Sequence, residues 1–499
     1  MVPAVLPQVA QIRSSADRLI SEQRQVQSSF RDPGGRVFQY QGRILRVIDQ
    51  TGRDSLDLSR TSPALRPFIA AGNFIGSREL EGSEVAELLQ ISSVQDFALN
   101  ATAPVFVEHD AIPFPSFPYE WPPEMLHAAG SLTLELCEAL LDDGVGLKDA
   151  TPYNVLYRGS QPVFVDVLSA ERRRPNDPVW LAYAQFVRTF LLPLLASQRW
   201  RTPLSEVFLS HRDGLQTADV YRRCGVFERF RPGILGLVSV PTWLESRKSG
   251  DENSIYRPRS VSSEEQARFI LRSTFRGLRK KLEALKPVAL RSTWSEYAAT
   301  NTYSNSEASR KQEFVTSVMQ KLRPRRVLDV GCNTGVFSLL AAKNGASVVA
   351  LDFDEASVGA LFRTAAQEKL SILPLVVDIA RPTPGIGWNN AEHTSFLSRA
   401  AGHFDAVFML ALVHHLLVTE RVPLPGILDL AATLTNDILV IEYVGRSDSM
   451  FKKIVRGREA LHEDFTREVF EHECKRLFNI VESTQVQADR WLYLLRRLT

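Results

Sequence analysis

Apolar and polar positions follow different patterns in the two halves of the chain. Residues 1–30 have the spacing of an amphipathic helix, and a turn signal follows at 32–35. Two β-rich runs, 36–40 and 43–48, flank a glycine turn and predict a β-hairpin. A broad apolar face at helical spacing predicts a helix at 125–142. The first half is therefore expected to be an α+β arrangement.

The second half alternates strand and helix patterns. Residues 240–290 are polar apart from a basic helix expected at 262–286, which Pro287 ends. Beyond it lie a helix pattern at 336–344 and short apolar runs that predict strands at 326–330, 347–351, 373–377, 406–410 and 437–442. Alternation at this spacing predicts α/β structure, a Rossmann-like, doubly wound parallel sheet.

The charge, the cysteine spacing and the apolar stretches of the chain argue against several classes of protein. The chain has 499 residues, with 59 Lys and Arg against 57 Asp and Glu, a formal net charge of +2. So small an excess argues against holding nucleic acid by bulk charge. The 4 cysteines are far apart in sequence, which excludes a Cys-x-x-Cys pair and fits the reducing cytoplasm. The most apolar stretch, 179–196, contains Gln185, Arg188 and Pro193, so we expect a buried helix and no membrane partner.

A glycine-bearing loop at 329–335 carries the clearest chemical signal. Asp329 ends an apolar strand, and Gly331 and Gly335 remove side-chain bulk where backbone can approach a ligand. A helix N-terminus with free N–H groups follows the loop. Asp352 ends the next strand, where one carboxylate can accept hydrogen bonds from both hydroxyls of a ribose.

This segment resembles class I S-adenosylmethionine-dependent methyltransferases over residues 290–499. Asp329, Gly331 and Gly335 match the family pattern, while Asn333 replaces the middle glycine. Asn tolerates left-handed backbone better than most residues, so we expect the turn to be kept. The resemblance implies S-adenosylmethionine as the methyl donor and a cytoplasmic enzyme of the methyltransferase class.

The resemblance also assigns the parts of the donor to residues of this chain. Asp329 and Gly331 would face its methionine part, and Asp352 its ribose. Asp378, after the third strand, would meet the adenine amine with Ile379 beside it. Tyr303 or Tyr297 is expected to pack against the sulfonium by cation–π attraction.

The strand ends nearest the donor suggest the catalytic groups. His414 and His415 follow the fourth strand, and either can take a proton from an acceptor as the methyl group arrives. Adjacent helical residues point in different directions, so only one is expected to reach the site. Glu442, at the end of the fifth strand, is a third candidate base. No Asn/Asp-Pro-Pro-aromatic tetrad follows the fourth strand. The expected acceptor is thus a hydroxyl, amine or activated carbon of a small or medium-sized molecule.

The first half contains a second motif. Asp149, Asn154 and Asp166 resemble the catalytic loop of the aminoglycoside phosphotransferase and kinase-like superfamily. The resemblance implies Mg²⁺ and ATP, with Asn154 and Asp166 as metal ligands and Asp149 as the base. A glycine-rich phosphate loop and the usual strand lysine are missing, although Arg43 or Arg46 can replace the lysine. An inactive kinase-like scaffold is favoured, and a bifunctional kinase and methyltransferase stays open.

The whole arrangement is similar to rhizobial nodulation-type methyltransferases. It divides into an N-terminal helix, a kinase-like domain, a linker with the basic helix, and a methyltransferase domain, at 1–30, 31–240, 241–290 and 291–499. RNA methylation is the rival function, because 272–286 and the arginines at 323, 325 and 326 are basic. A scaffolding protein with a dead donor site is the non-enzyme alternative. The sequence leaves the oligomeric state open.

Overall fold

The computed structural model describes residues 34–247, 260–288 and 305–498. The predicted helix at 1–30, Tyr297 and Tyr303 lie outside them. The front half begins with an antiparallel sheet in the order β1-β2-β4-β3. Its strands are β1 (Gly35–Tyr40), β2 (Arg43–Ile48), β3 (Ser77–Glu79) and β4 (Val105–His109). The predicted hairpin is confirmed, since β1 pairs with β2 from Gly35 opposite Ile48 to Tyr40 opposite Arg43.

Two smaller antiparallel pairs follow the sheet. β5 (Val145–Leu147) pairs with β8 (Ala170–Arg172), and β6 (Val155–Arg158) pairs with β7 (Gln161–Phe164). Asn154 and Asp166 flank the open end of the β6–β7 hairpin, and the backbone N–H of Val165 donates to the carbonyl of Asn154 at 2.9 Å. The register of one hairpin therefore brings two residues of the predicted kinase-like motif together.

Helices cover the rest of the front half. The helix predicted at 125–142 is confirmed as Pro123–Leu140. The apolar stretch predicted as a buried helix at 179–196 is helical from Tyr183 onward and largely buried, with π-helical Val187–Leu191 between Tyr183–Phe186 and Leu192–Trp200. Within the described ranges no helix meets the length and apolarity needed to span a bilayer. The other helices here are Gln50–Thr61, Arg66–Ala70, Ser83–Leu88, Ser92–Asn100, Leu204–Ser210, Thr217–Arg223, Pro232–Ile234 and Val240–Arg247.

The predicted basic helix is shorter than expected and packs on the front half. It spans Glu264–Ala284, and the Ser263 hydroxyl caps it by accepting from the backbone N–H of Gln266 at 3.2 Å. Its apolar face lies against Pro123–Leu140, and Arg279 donates to Glu138 at 2.8 Å. At least part of the basic face is thus paired with acids of the same chain.

The back half is a seven-stranded sheet in the order β11-β10-β9-β12-β13-β15-β14. Five neighbouring strands are parallel, and β15 is antiparallel to both of its neighbours. The predicted Rossmann-like sheet is confirmed, and the ends of the five predicted strands agree with the observed ones to within two residues. The two antiparallel strands β14 and β15 were not predicted. The observed strands are β9 (Arg326–Val330), β10 (Ser347–Asp352), β11 (Ile372–Val376), β12 (Phe404–Met409), β13 (Thr435–Val444), β14 (Phe478–Gln487) and β15 (Arg490–Arg497).

Helices connect the strands and place the ends of β9, β10, β11 and β12 at one edge, where loops meet. Helix Val336–Lys343 follows the glycine loop, helix Glu355–Glu368 follows β10, and helix Val413–Val418 follows β12. The remaining helices of this half are Asn305–Leu322, Phe396–Ala400, Leu424–Leu434, Ser449–Val455 and Arg467–Cys474. In a doubly wound sheet, the carboxyl ends of the strands are where ligands bind.

Candidate functional site

The loop after β9 has the backbone that the sequence predicts. Gly331 and Gly335 have φ angles of 76° and 83°, and Asn333 has 50°. A Cβ atom on Gly335 would lie 2.3 Å from Leu361 Cδ1, so no larger residue fits there without movement. The expectation that Asn333 takes a left-handed turn in place of a glycine is confirmed.

Hydrogen bonds clamp this loop to the end of β10. The N–H groups of Gly331 and Cys332 donate to the Leu351 carbonyl at 2.8 and 2.9 Å. The N–H of Asn333 donates to Asp352 Oδ2 at 2.8 Å. Loop and acid therefore form one unit beside the N-terminus of helix Val336–Lys343.

Asp352 is oriented by two backbone donors. Its Oδ1 accepts from the N–H of Asp354 at 2.9 Å, opposite the bond from Asn333 to Oδ2. Burial raises the pKa of this partly exposed carboxyl. Each oxygen keeps a second lone pair, which is the chemistry that two vicinal hydroxyls require. Phe353, the next residue, has a ring that is 60% exposed at the same strand end and was not singled out from the sequence.

Asp329 lies beneath the loop. It is 2% exposed, and its Oδ2 accepts from the Ser338 hydroxyl at 2.6 Å. Burial raises its pKa to about 6. This hydrogen bond joins the end of β9 to the helix after the loop. The resemblance implied that Asp329 contacts the ligand directly, whereas its side chain contacts Ser338 here.

Asp329 should make folding stability depend on pH. Its pKa of about 6 in the folded chain lies above the value of an ordinary aspartate, so the folded state binds the proton more tightly than the unfolded state. Its contribution to stability is therefore full at low pH and is lost as pH rises from about 4 to about 6. Between pH 4 and pH 7, Asp329→Asn should gain about 3 kcal/mol in unfolding free energy relative to the wild type, measured by urea unfolding.

The control for this series is Asp429→Asn, on the exposed face of helix Leu424–Leu434. The Asp429 variant should track the wild type at every pH. A difference between Asp329→Asn and the wild type that stays constant across the range would contradict a buried, protonated Asp329.

Asp378 and Ile379 follow β11, next to the end of β10. Asp378 Oδ1 accepts from the N–H of Ala380 at 2.9 Å, and Oδ2 pairs with Arg381 at 2.8 Å. Ile379 is 8% exposed. The backbone N–H of Val377 donates to the Asp352 carbonyl at 3.0 Å, so the sheet brings the second and third predicted acids to adjacent strand ends.

The two histidines differ in burial. His414 is 1% exposed, and neither of its ring nitrogens has a hydrogen-bond partner among the described residues. His415 is partly exposed, and the two ring centroids are 4.3 Å apart. Burial lowers the pKa of both, with the charge of Arg490 acting in the same direction, so both rings are neutral at pH 7.

Glu442 has no exposed surface and belongs to a buried charge cluster. It accepts from Lys311 Nζ at 2.7 and 2.8 Å and from Arg490 Nη1 at 3.3 Å. It also accepts at 2.8 Å from the N–H of Ala411, a residue held at φ 52°. Arg490 in turn donates to Asp448 at 2.7 Å, which completes a cluster of two cations and two anions.

Sequence reasoning found Glu442 and missed the other members of this cluster. Lys311 and Glu442 are 131 residues apart, and Arg490 is 48 residues from Glu442. The weak signal that was available is Arg490, a charged residue directly before the run WLYLL of strand β15.

In the front half, the two acids of the predicted motif contact side chains of the protein, and, in the described part of the chain, the amide nitrogen of Asn154 does not. Arg46 is 8% exposed and its Nη1 lies 3.7 Å from Asp166 Oδ1. Asp149, on the surface, accepts from Gln185 Nε2 at 3.2 Å. The amide nitrogen of Asn154 is buried with no hydrogen-bond partner in the described ranges. These ranges contain no group of three or more His, Cys, Asp or Glu residues arranged to hold a metal ion.

Comparison with known proteins adds family information. Residues 305–486 match a family model described as a methyltransferase domain. Nodulation protein NoeA of Rhizobium meliloti (strain 1021) is 30% identical over 479 residues, which are 95% of this chain and 96% of that protein.

Solved methyltransferase structures also align with part of the chain. N-methyltransferase NodS from Bradyrhizobium japonicum WM9 is 15% identical, with 39% of this chain and 97% of that chain covered and a TM-score of 0.27. Magnesium protoporphyrin IX methyltransferase from Synechocystis PCC 6803, solved with SAH, is 17% identical, with 41% and 92% covered and a TM-score of 0.29.

Proposed function

Because this chain belongs to the NoeA family of nodulation proteins and is an S-adenosylmethionine-dependent methyltransferase, we propose that it methylates a hydroxyl, amine or activated carbon of a small or medium-sized molecule. The carrying observation is the clamp between the glycine loop and Asp352, which fixes a carboxylate with available lone pairs at the carboxyl edge of the sheet. S-adenosylmethionine supplies an electrophilic methyl group on its sulfonium.

Different residues at this edge of the sheet bind different parts of the donor. Asp352 accepts from the ribose hydroxyls, and Gly331, where a Cβ atom would lie 3.3 Å from Leu412 Cδ1, leaves room for the methionine part by having no side chain. Asp378 and Ile379 bound the adenine, and the exposed ring of Phe353 offers it an apolar face. Asp329 and Asn333 hold the loop in shape through Ser338 and Asp352. A cation–π role for Tyr303 or Tyr297 stays a prediction.

His415 is our candidate for the base. Its ring is partly exposed at the end of β12, and a neutral imidazole has the lone pair that takes a proton from the acceptor. His414 packs behind it. His415→Ala should lower the rate of methyl transfer about 10²–10⁴-fold with donor affinity unchanged. His414→Ala should change the rate much less, because that ring is buried.

Turnover is measured as label transferred from methyl-labelled donor to a panel of phenols, alcohols and amines. Full activity in both histidine variants would show that transfer needs no histidine base. A larger loss in His414→Ala than in His415→Ala would reverse the assignment.

Glu442 has a positioning role in this proposal. A base needs a lone pair within reach of the acceptor, whereas this carboxylate is fully buried and accepts from two cations and one backbone N–H. Its bond to Ala411 fixes the turn between β12 and the histidine helix.

RNA methylation is the weaker alternative. Arg279 of the basic helix donates to Glu138, and Arg326 donates to Asp405, both at 2.8 Å. Cations that are already paired offer less to a phosphate backbone. Retention of RNA by the wild-type protein that weakens steeply with salt would favour this alternative.

For the front half, we propose a kinase-like scaffold without phosphate transfer. Asn154 and Asp166 are the residues that would hold Mg²⁺ for ATP, with Asp149 as the base. Arg46 lies against Asp166, so its positive charge competes with a metal ion for that carboxylate. The bifunctional reading is the alternative.

ATP consumption separates the scaffold from the bifunctional enzyme. The wild type should show no Mg²⁺-dependent ATP hydrolysis above a no-enzyme control, and Asp149→Ala should keep the wild-type rate of methyl transfer. If the wild type hydrolyses ATP and Asp149→Ala abolishes that hydrolysis, the bifunctional hypothesis is correct.

A further inference from the structure

One short segment of the front half contacts both the helix that follows Asp352 and the segment that follows Asp378, the two acids proposed to bind adenosine. We call residues 114–124 the brace. Helix Glu355–Glu368 begins three residues after Asp352, and the segment 379–404 begins directly after Asp378. The brace precedes and opens helix Pro123–Leu140, so the contacts join the two halves of the chain.

The first contact is made by Glu124. Its carboxylate pairs with Arg363 of helix Glu355–Glu368. A Cβ atom on Gly359 of that helix would lie 2.4 Å from Glu124 Oε2, so a larger residue there would require the carboxylate to move. The helix after Asp352 is thereby fixed against the front half.

The second contact is made by Glu120, which has no exposed surface. Its Oε1 accepts from the Thr383 hydroxyl at 2.6 Å and from Arg399. Its Oε2 accepts from the N–H of Phe117 at 3.1 Å. Thr383 is five residues after Asp378, so the bond anchors the segment close to that acid.

Aromatic rings of the brace complete the anchor. The Arg399 guanidinium carbon lies 5.2 Å from the centre of the Phe114 ring and 5.1 Å from that of Phe117. His393 stacks on Phe117 with ring centroids 4.3 Å apart. A buried ion pair enclosed by rings has few alternative geometries, because separation of the charges leaves each buried without its counter-charge.

We propose that the brace positions the adenosine side of the donor site, and that Glu120, Thr383 and Arg399 are positioning residues for donor binding. The proposal rests on the proposed function, in which Asp352 and Asp378 hold the adenosine. It gives the front half a role that needs no nucleotide chemistry. By linkage, donor binding and brace contacts must strengthen each other to the same extent.

Calorimetry with S-adenosylhomocysteine and 5′-methylthioadenosine tests the proposal on the full chain. Arg399→Met should raise the dissociation constant of both ligands by a similar factor, about 10-fold or more. Thr383→Val keeps the side-chain shape, removes one hydrogen bond and should raise both constants about 5-fold. Both ligands contain adenosine, so an equal rise in the two dissociation constants indicates a lost contact on the adenosine side. A lost contact at the methionine end would affect the two ligands differently.

Arg279→Met is the matched control, since it breaks an Arg–Glu pair between packed helices of the front part, away from both acids. It should lower the unfolding midpoint and leave both dissociation constants unchanged. If Arg399→Met does not fold, Thr383→Val decides alone. Wild-type affinity in a folded Thr383→Val, or an equal loss in Arg279→Met, overturns the positioning role.

If the wild type binds neither ligand, the donor site itself is misassigned, and the positioning role of the brace is refuted as well. A wild type that binds both ligands, together with brace variants that bind them equally well, refutes the positioning role and leaves the donor site standing. Hydrogen exchange adds a reciprocal readout: S-adenosylhomocysteine should slow exchange in the brace of the wild type.

Discussion

Asp352→Ala is expected to weaken binding of S-adenosylmethionine and S-adenosylhomocysteine about 100-fold. The change removes the proposed acceptor of two ribose hydroxyls, and charge-assisted hydrogen bonds are worth about 1.5–3 kcal/mol. It also removes the acceptor of the Asn333 and Asp354 N–H groups, so the glycine loop keeps only its backbone bonds to the Leu351 carbonyl at the end of β10. Calorimetry on folded protein measures the effect.

Asp429→Ala is the control for the donor-binding series, because Asp429 pairs with Arg476 on the surface. Its donor affinity should equal that of the wild type. Wild-type affinity in a folded Asp352→Ala protein would refute the ribose assignment.

Glu442→Ala is expected to give the largest loss of stability, about 3–5 kcal/mol in unfolding free energy. It removes the carboxylate that accepts two hydrogen bonds from the buried Lys311 and one from Arg490, and it leaves the bonds from Arg490 to Asp448 in place. It also orphans the N–H of Ala411. Denaturant unfolding measures the loss.

A double-mutant cycle shows whether the loss comes from breaking the Lys311–Glu442 ion pair. Lys311→Met together with Glu442→Gln removes one cation and one anion, and the Arg490–Asp448 pair remains. The double variant should be more stable than either single variant. If the losses of unfolding free energy in the two single variants simply add in the double variant, the cluster is not coupled. If Glu442→Gln loses methyl transfer without losing stability, Glu442 becomes a candidate base again.

Short-range patterns account for what the sequence predicts well. The β1–β2 hairpin and the left-handed turn at Asn333 depend on residues within a few positions of each other. The strands of the back half alternate with helices at the regular spacing of a doubly wound sheet. Asp352 and Asp378 follow from the same regularity, because an acid at the end of a parallel strand must lie at the ligand-binding edge.

Contacts between distant residues account for what sequence reasoning missed. Glu120 and Arg399 are 279 residues apart and lie in different halves of the chain. No local pattern distinguishes Glu120, which is fully buried, from a surface acid. The same holds for Lys311 on its helix. The expected difference between adjacent histidines follows from helix geometry, but which ring is buried depends on how the helix packs against β13 and against helices Leu424–Leu434 and Ser449–Val455.

Hydrogen–deuterium exchange of the full wild-type chain, with and without saturating S-adenosylhomocysteine, is the most direct test of the donor site. We expect slower exchange at the loop 331–335, at 352–354 around Asp352, and at 378–380, three segments that meet at the ends of β9, β10 and β11. Saturating binding that leaves these three segments unprotected would contradict the donor site described here.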